Sequence, residues 1–416
     1  MIEAETGSVA PGARGVAIAV LGSVAPALPF LDRAVLAAAV EAFRAELWLT
    51  DATLGLVASV HVLLLALAGP AFLALGDRGP RPRLVASGLG IAAVGTALAG
   101  AAGNFPALLA ALGTAGIGLA GAAWLAPDVL ARRGRSAAML AGGTAAGYAL
   151  GAGAVALAQW RASFPAAGSV CLVCAVAWLA TRDPAPGPFV GLRGGRNGGG
   201  FVPFAADRIA LAARQLSGRR SWLIGLAALA LLAFAASALA FWAPAFLVRV
   251  RGLPRHVATG QLAAAALMAG LSGTLLGPRL ATWLRTRTAE ADRLAAGVWA
   301  LAAAPVLLVA CVDPRPAVYL TAIVAGLAFL FAAARPGVAA LLADAGPVER
   351  TSAIAVAFLA VRVLGDAPGP LLVGLLADAA SLGRAVLAVP AAALAAGALW
   401  TVAAQRRAAQ RVRGER

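Results

Sequence analysis

Between Leu84 and Pro127 the chain reads LVASGLGIAAVGTALAGAAGNFPALLAALGTAGIGLAGAAWLAP, without one Asp, Glu, Lys or Arg. A helix crossing a bilayer core about 30 Å thick needs roughly 20 apolar residues, so this stretch supplies two crossings. Working outward, uncharged runs long enough for a single crossing recur at Ser136 to Trp160, Ala162 to Thr181, Ser221 to Val248, Val257 to Pro278 and Ala385 to Gln405. Segments interrupted by isolated charges bring the expected number of spans to twelve. The composition agrees: of 416 residues 61% are hydrophobic and 12% charged, with a mean hydropathy of +0.87, whereas a soluble domain carries about 25% charged residues.

The pattern predicts an all-α integral membrane protein. The first six helices are expected over Gly15 to Phe43, Ala52 to Gly76, Leu84 to Gly103, Pro106 to Ala131, Ser136 to Trp160 and Ser163 to Thr181. The second six are expected over Ser221 to Leu247, Val257 to Thr282, Leu294 to Val312, Ala317 to Leu342, Ser352 to Ala377 and Ala385 to Ala404. This divides the chain into two six-helix halves, residues 1–181 and 221–404, joined by an Arg- and Gly-rich cytoplasmic linker, 182–220, and followed by a basic tail, 405–416. Within the linker, Phe201 to Leu216 mixes apolar residues with Asp207, Arg208 and Arg214. A helix lying on an anionic leaflet and a flexible tether both fit it.

The net charge is +16, and all 34 basic residues are arginines. Placing the N-terminus in the cytoplasm puts most of them in cytoplasmic ends and loops, the positive-inside pattern; the expected location is a cell membrane, plasma or inner, with both termini cytoplasmic. The arginines sit in short loops and form no continuous face, which argues against nucleic acid as a partner. Cys171, Cys174 and Cys311 all fall in apolar spans, where Cys behaves as a small hydrophobe, so neither a metal nor a cofactor is expected. The first 14 residues are short and acidic for a signal peptide. The run Gly116, Gly118, Gly121 matches GxGxxG, but inside an apolar helix it reads as a packing face.

Charge near the bilayer centre costs about 2.5 to 3.5 kcal/mol on insertion scales, so intramembrane ionisable residues are candidates for function. Asp32 and Arg33 follow Pro26 and Pro29 in the first helix. Helical neighbours point about 100° apart, so at least one of the two should face the interior. Arg33 offers a planar fork of donors to an anionic headgroup, Asp32 suits proton coupling, and a structural ion pair with another helix is the alternative. Arg362 and Asp366 are four apart and share a helix face, with Pro368 and Pro370 beyond them. Arg362 can bind an anion and Asp366 can pair or exchange protons, or the two can pair structurally. His61 is a possible proton carrier, or a histidine satisfied by a neighbouring carbonyl. Arg335 could line a cavity or reach the cytoplasmic end. Gly76, Asp77, Arg78 and Arg81 form a short basic loop suited to locking one conformation through charge-assisted bonds.

That loop resembles the signature loop of the major facilitator superfamily, and the chain is similar, within it, to the Spinster family of lipid transporters. The likeness is carried by Leu31, Asp32 and Arg33; by Gly76 to Arg78; by Ala240 to Phe246, with Phe241 and Trp242; and by Leu364 to Ala367, then Pro370, Gly374 and Asp378. The chain departs from the family where Leu119 replaces an acid of the fourth helix, Arg362 stands where a His is common, and Arg335 and Pro336 remain of a more polar tenth-helix motif. The resemblance implies alternating access around a midplane site, moving an amphiphilic or lipid-like organic anion of lysophospholipid or sphingolipid type, with a proton or other ion as coupling partner. Arg33, Arg362 and Arg335 would take the head, Phe241 and Trp242 an apolar tail, and Asp32, Asp366 and His61 would exchange protons or pair. An exporter of drugs or organic ions in the same fold is the alternative; a lipid enzyme would need clustered nucleophiles or metal ligands. The expected protein is a monomer that touches substrate, coupling ion and membrane lipid.

Overall fold

A computed structural model describes residues 24–76, 78–132, 146–153, 159–181, 203–345 and 350–414. The spans are α1 (Leu28–Leu47), α2 (Asp51–Gly76), α3 (Arg81–Gly100), α4 (Phe105–Trp124), α5 (described over 146–153) and α6 (Trp160–Leu179). The second set is α7 (Arg220–Arg249), α8 (Arg255–Arg285), α9 (Ala291–Val312), α10 (Pro316–Ala343), α11 and α12 (Ala388–Gly414). α11 runs Arg350–Val361, passes through a π turn over Arg362–Asp366 and resumes at Pro368–Ala379. Among the described residues, ten helices are long and apolar enough to cross a membrane. α1 is a further long helix, carrying five charged side chains, and the expected fifth span is described only over 146–153.

The two halves repeat one packing pattern. In the first, α3 packs on α6 and α4, and α2 on α4; in the second, α9 packs on α12 and α10, and α8 on α10. The halves meet where α2 lies along α11 and α1 along α7. Small residues allow that approach: a Cβ on Gly55 would collide with the Pro370 carbonyl, and one on Gly374 with the Asp51 carbonyl. In α4, Gly116 abuts the His61 backbone and Gly118 abuts α3, so the glycine run is a packing face. Cys171 and Cys174 are buried free thiols.

The helix ends follow local chemistry. Pro29 sits in the first turn of α1, where its missing N–H costs nothing. α1 runs past its expected end at Phe43 and stops at Trp48, whose φ of 54° is left-handed and whose side chain is 89% exposed. The linker segment expected to be helix or tether is helical over Pro203–Ser217 and packs on α2, α7 and the start of α11, burying Ala212 and Leu216. The basic tail does not start a separate element: α12 continues to Gly414, because Ala, Arg and Gln propagate a helix readily.

At the end of the bundle where α2 begins, charges clamp the halves together. Arg249 of α7 bonds Glu41 at 2.6 Å and Asp51 at 2.7 Å. The Asp378 carboxylate of α11 accepts from the backbone N–H groups of Asp51 and Ala52 at 3.0 and 2.9 Å. It thus caps the positive N-terminus of a helix in the opposite half. Toward the other end, the rings of Trp124 and Phe358 meet edge to face across the halves, 4.6 Å apart.

Candidate functional site

The site is built around a backbone defect. Pro370 has no N–H, so the Asp366 carbonyl lacks its helical partner; the Ser237 hydroxyl of α7 donates to it at 2.7 Å. One residue earlier, the π turn closes with the Ala367 N–H on the Arg362 carbonyl at 2.8 Å, and the Ser59 hydroxyl of α2 donates to the Ala367 carbonyl. On the far side of the prolines, Trp242 Nε1–H donates to the Pro370 carbonyl at 2.9 Å. Hydroxyls and an indole from α2 and α7 therefore hold the broken stretch of α11 in place.

This arrangement sets Asp366 between two arginines. Arg33 of α1 donates to its two carboxylate oxygens at 3.2 and 3.3 Å and to Ser237 Oγ at 2.7 Å. Arg362 Nη1 lies 2.9 Å from Asp366 Oδ2 as a charge contact without hydrogen-bond alignment, and its guanidinium sits 4.8 Å above the Phe358 ring. Two cations thus share one carboxylate, and α1 of one half is tied to α7 and α11 of the other.

A largely apolar cavity opens beside this group. Arg33, Tyr148, Ser237 and Asp366 are its polar lining; Phe30, Leu262, Leu327 and Phe331 are among its apolar walls. The Tyr148 hydroxyl donates to the Ala240 carbonyl. A narrow cleft continues from Arg33 and Ser237 toward the clamped end, past Leu36, Val62 and Phe241.

Asp32 points the other way, into the first half, fully buried. Its Oδ1 accepts from Thr96 Oγ1 at 2.8 Å, and its Oδ2 lies 3.5 Å from His61 Nε2 without hydrogen-bond alignment. His61 Nδ1 is 3.0 Å from the Leu112 carbonyl. A carbonyl only accepts, so Nδ1 carries the proton and Nε2 faces the carboxylate with its lone pair unless a second proton is bound.

The structure thus joins Arg33, Arg362 and Asp366 in one cluster and Asp32 and His61 in another. Phe241 lines the narrow cleft, whereas Trp242, one residue on and rotated away, is fully buried and braces α11. Arg335 is exposed, and follows the cavity residues Leu327 and Phe331 at helical spacing on α10. In the basic loop, Arg81 is buried and donates from Nε to the Gly76 carbonyl at 3.2 Å, while the Arg78 N–H bonds Leu75 at 3.1 Å; Asp77 lies outside the described residues. Sequence reasoning missed Tyr148, Ser237, Thr96 and Ser59. Ser237 carried a signal, as the only hydroxyl between Trp222 and Arg249 in an otherwise apolar helix.

A sequence profile of the Major Facilitator Superfamily matches residues 16–291. Protein spinster of Drosophila melanogaster is 26% identical over 375 residues, covering 84% of this chain and 60% of its own length. The sphingosine-1-phosphate transporter SPNS2 of Xenopus tropicalis is 26% identical over 178 residues, covering 40% of this chain and 35% of its own. The chain therefore spans under two thirds of the length of these curated relatives. Among solved structures, a bacterial homolog to the human lysosomal transporter Spinster, inward-facing and unoccupied, superposes with a TM-score of 0.79 at 20% identity, over 95% of this chain and 98% of that one.

Proposed function

The chain belongs to the major facilitator superfamily and resembles its Spinster family, and we propose that it moves an anionic amphiphile by alternating access, with both termini cytoplasmic. It is a transporter and not an enzyme. The observation that carries the substrate reading is that Arg33, on the wall of a largely apolar cavity, is held by a carboxylate of the opposite half. A phosphate or carboxylate headgroup can replace Asp366 on the same guanidinium fork. Because Arg33 and Asp366 lie on different halves, that replacement would loosen one tie between them while Arg362 keeps Asp366 compensated. The aliphatic and aromatic walls suit a single acyl or sphingoid chain, and the relative named for sphingosine-1-phosphate transport supports this class. Arg335, one turn beyond Phe331, would attract the headgroup at the cavity mouth.

Proton coupling would run through Asp32 and His61. A proton taken up at Nε2 lets the imidazolium donate to Asp32 Oδ2, which couples α2 to the residue preceding Arg33. Leu119 is buried in α4 and carries no proton, so coupling here does not use that position.

The test is ligand binding by the purified protein in detergent, with lysophosphatidic acid and the neutral monoacylglycerol of the same chain. Saturable binding of the acid alone, lost in Arg33→Ala and retained in Arg335→Ala at reduced association rate, supports the reading. Equal binding of both ligands by wild type and Arg33→Ala would point instead to a carrier of drugs or other organic ions.

A further inference from the structure

A second cavity lies away from the transport site, between the first turn of α7 and the last turns of α12. Arg220, Ser221, Arg406 and Arg407 line it. Arg407 reaches Asp344, but that carboxylate is shared with Arg293 at 2.5 Å, and the Asp344 carbonyl accepts from Arg219 at 2.6 Å. Arg407 Nε is buried without an acceptor. Arg220 and Arg406 are exposed. Among the described residues no carboxylate lines the pocket, so its positive charge awaits an anion from outside the chain.

Depth identifies the kind of anion. The apolar run of α7 begins at Trp222 and that of α12 ends at Ala404, which places the arginines where hydrocarbon gives way to headgroups. One turn deeper, Leu223 and Val402 are exposed apolar side chains on the same two helices. A ligand satisfying both levels has a phosphate above and acyl chains below. Basic pockets between transmembrane helices are suited to such headgroups, and the arginine fork suits a phosphate's paired oxygens.

We propose that this cavity binds the headgroup of an anionic phospholipid, its phosphate between Arg220, Ser221 and Arg406 and its chains along Leu223 and Val402. Free phosphate offers the same head chemistry but nothing to the apolar side chains. The inference needs only that α7 and α12 span the bilayer, so it stands apart from the choice of transported substrate.

Native mass spectrometry of the full-length protein tests it, with phosphatidylglycerol, phosphatidylcholine or sodium phosphate added. Wild type is expected to retain phosphatidylglycerol in preference to phosphatidylcholine, and millimolar phosphate should not displace it. The double variant Arg220→Gln with Arg406→Gln should lose about thirty-fold in affinity, the equivalent of about 2 kcal/mol. Arg407 stays intact, so Asp344 keeps its partners; should the double variant be unstable in lipid-free detergent, either single variant should lose about five-fold. Unchanged affinity in these variants, equal retention of the two lipids, or full displacement by phosphate would overturn the proposal.

Discussion

Asp366 is the residue on which most of the site depends, since it compensates Arg33 and Arg362 together and its own carbonyl needs Ser237. Removing one partner of a buried ion pair leaves an uncompensated charge, at a cost of about 3–5 kcal/mol. Asp366→Ala should therefore lower thermal unfolding in detergent far more than Asp378→Ala, whose carboxylate is exposed, and a fluorescence melt would compare them. Asp32 and His61 make a different prediction. His61→Gln can keep a bond to the Leu112 carbonyl but cannot hold a second proton, so substrate exchange without a gradient should persist while acceleration by an inward proton gradient disappears. The ionisable members of both clusters were legible in the sequence because charge in hydrocarbon is costly. Their hydroxyl partners were not. Ser163, Ser169, Ser272, Thr282 and Thr321 all bond the carbonyl four residues back in their own helix, and nothing in a single sequence separates these from Ser237, Thr96 and Ser59, which reach across to another helix.

The π turn in α11 and the clamp at the start of α2 govern the helices as units. The sequence puts one span over Ser352 to Ala377 with a break at its prolines, and gives no sign of the π turn, because the apolar pattern continues through Arg362 to Asp366 and the widened turn changes no residue type. Only Pro368 and Pro370 flagged a break, and the structure puts the defect just before them. Restoring an N–H with Pro370→Ala would let the Asp366 carbonyl bond within its helix, making Ser237 dispensable there. Ser237→Ala should thus impair flux in wild type but add much less in the Pro370→Ala background, a non-additivity that a double-mutant cycle measures. The clamp was only half legible: Asp378 stood out through resemblance, whereas its role in capping α2 needs the two halves placed together. Arg249→Ala removes the cation bridging Glu41 and Asp51. Spin labels at Trp48→Cys and Ser381→Cys should then report longer distances between the halves at this end; an unchanged distribution would mean the clamp holds nothing closed.

For the molecule as a whole, the twelve-span plan and its division into halves follow from apolar run lengths, and the pairing of α2 with α4 recurs as that of α8 with α10. How the halves meet was not legible, because any small-residue face can pack on any other. pH dependence should also follow from this organisation. In the loop after α9, Arg315 hydrogen-bonds the half-buried Asp313 and holds its carboxyl down at about 2. A depressed carboxylate contributes above its unfolded pKa and loses that contribution only as pH falls through the folded value, so this pair stays charged from pH 5 to 8. Flux that changes over that window should keep its pH profile in Asp313→Asn and lose it in His61→Gln.

The central claim is that a headgroup competes with Asp366 for Arg33, and proteoliposome uptake of a labelled lysophospholipid tests it most directly. Wild type should transport it, faster with an inward proton gradient, and Arg33→Ala should be slower by about 10- to 100-fold, as expected for losing a charge-assisted bond of about 1.5–3 kcal/mol. Uptake by Arg33→Ala at the wild-type rate, with the protein folded and equally reconstituted, would contradict the account.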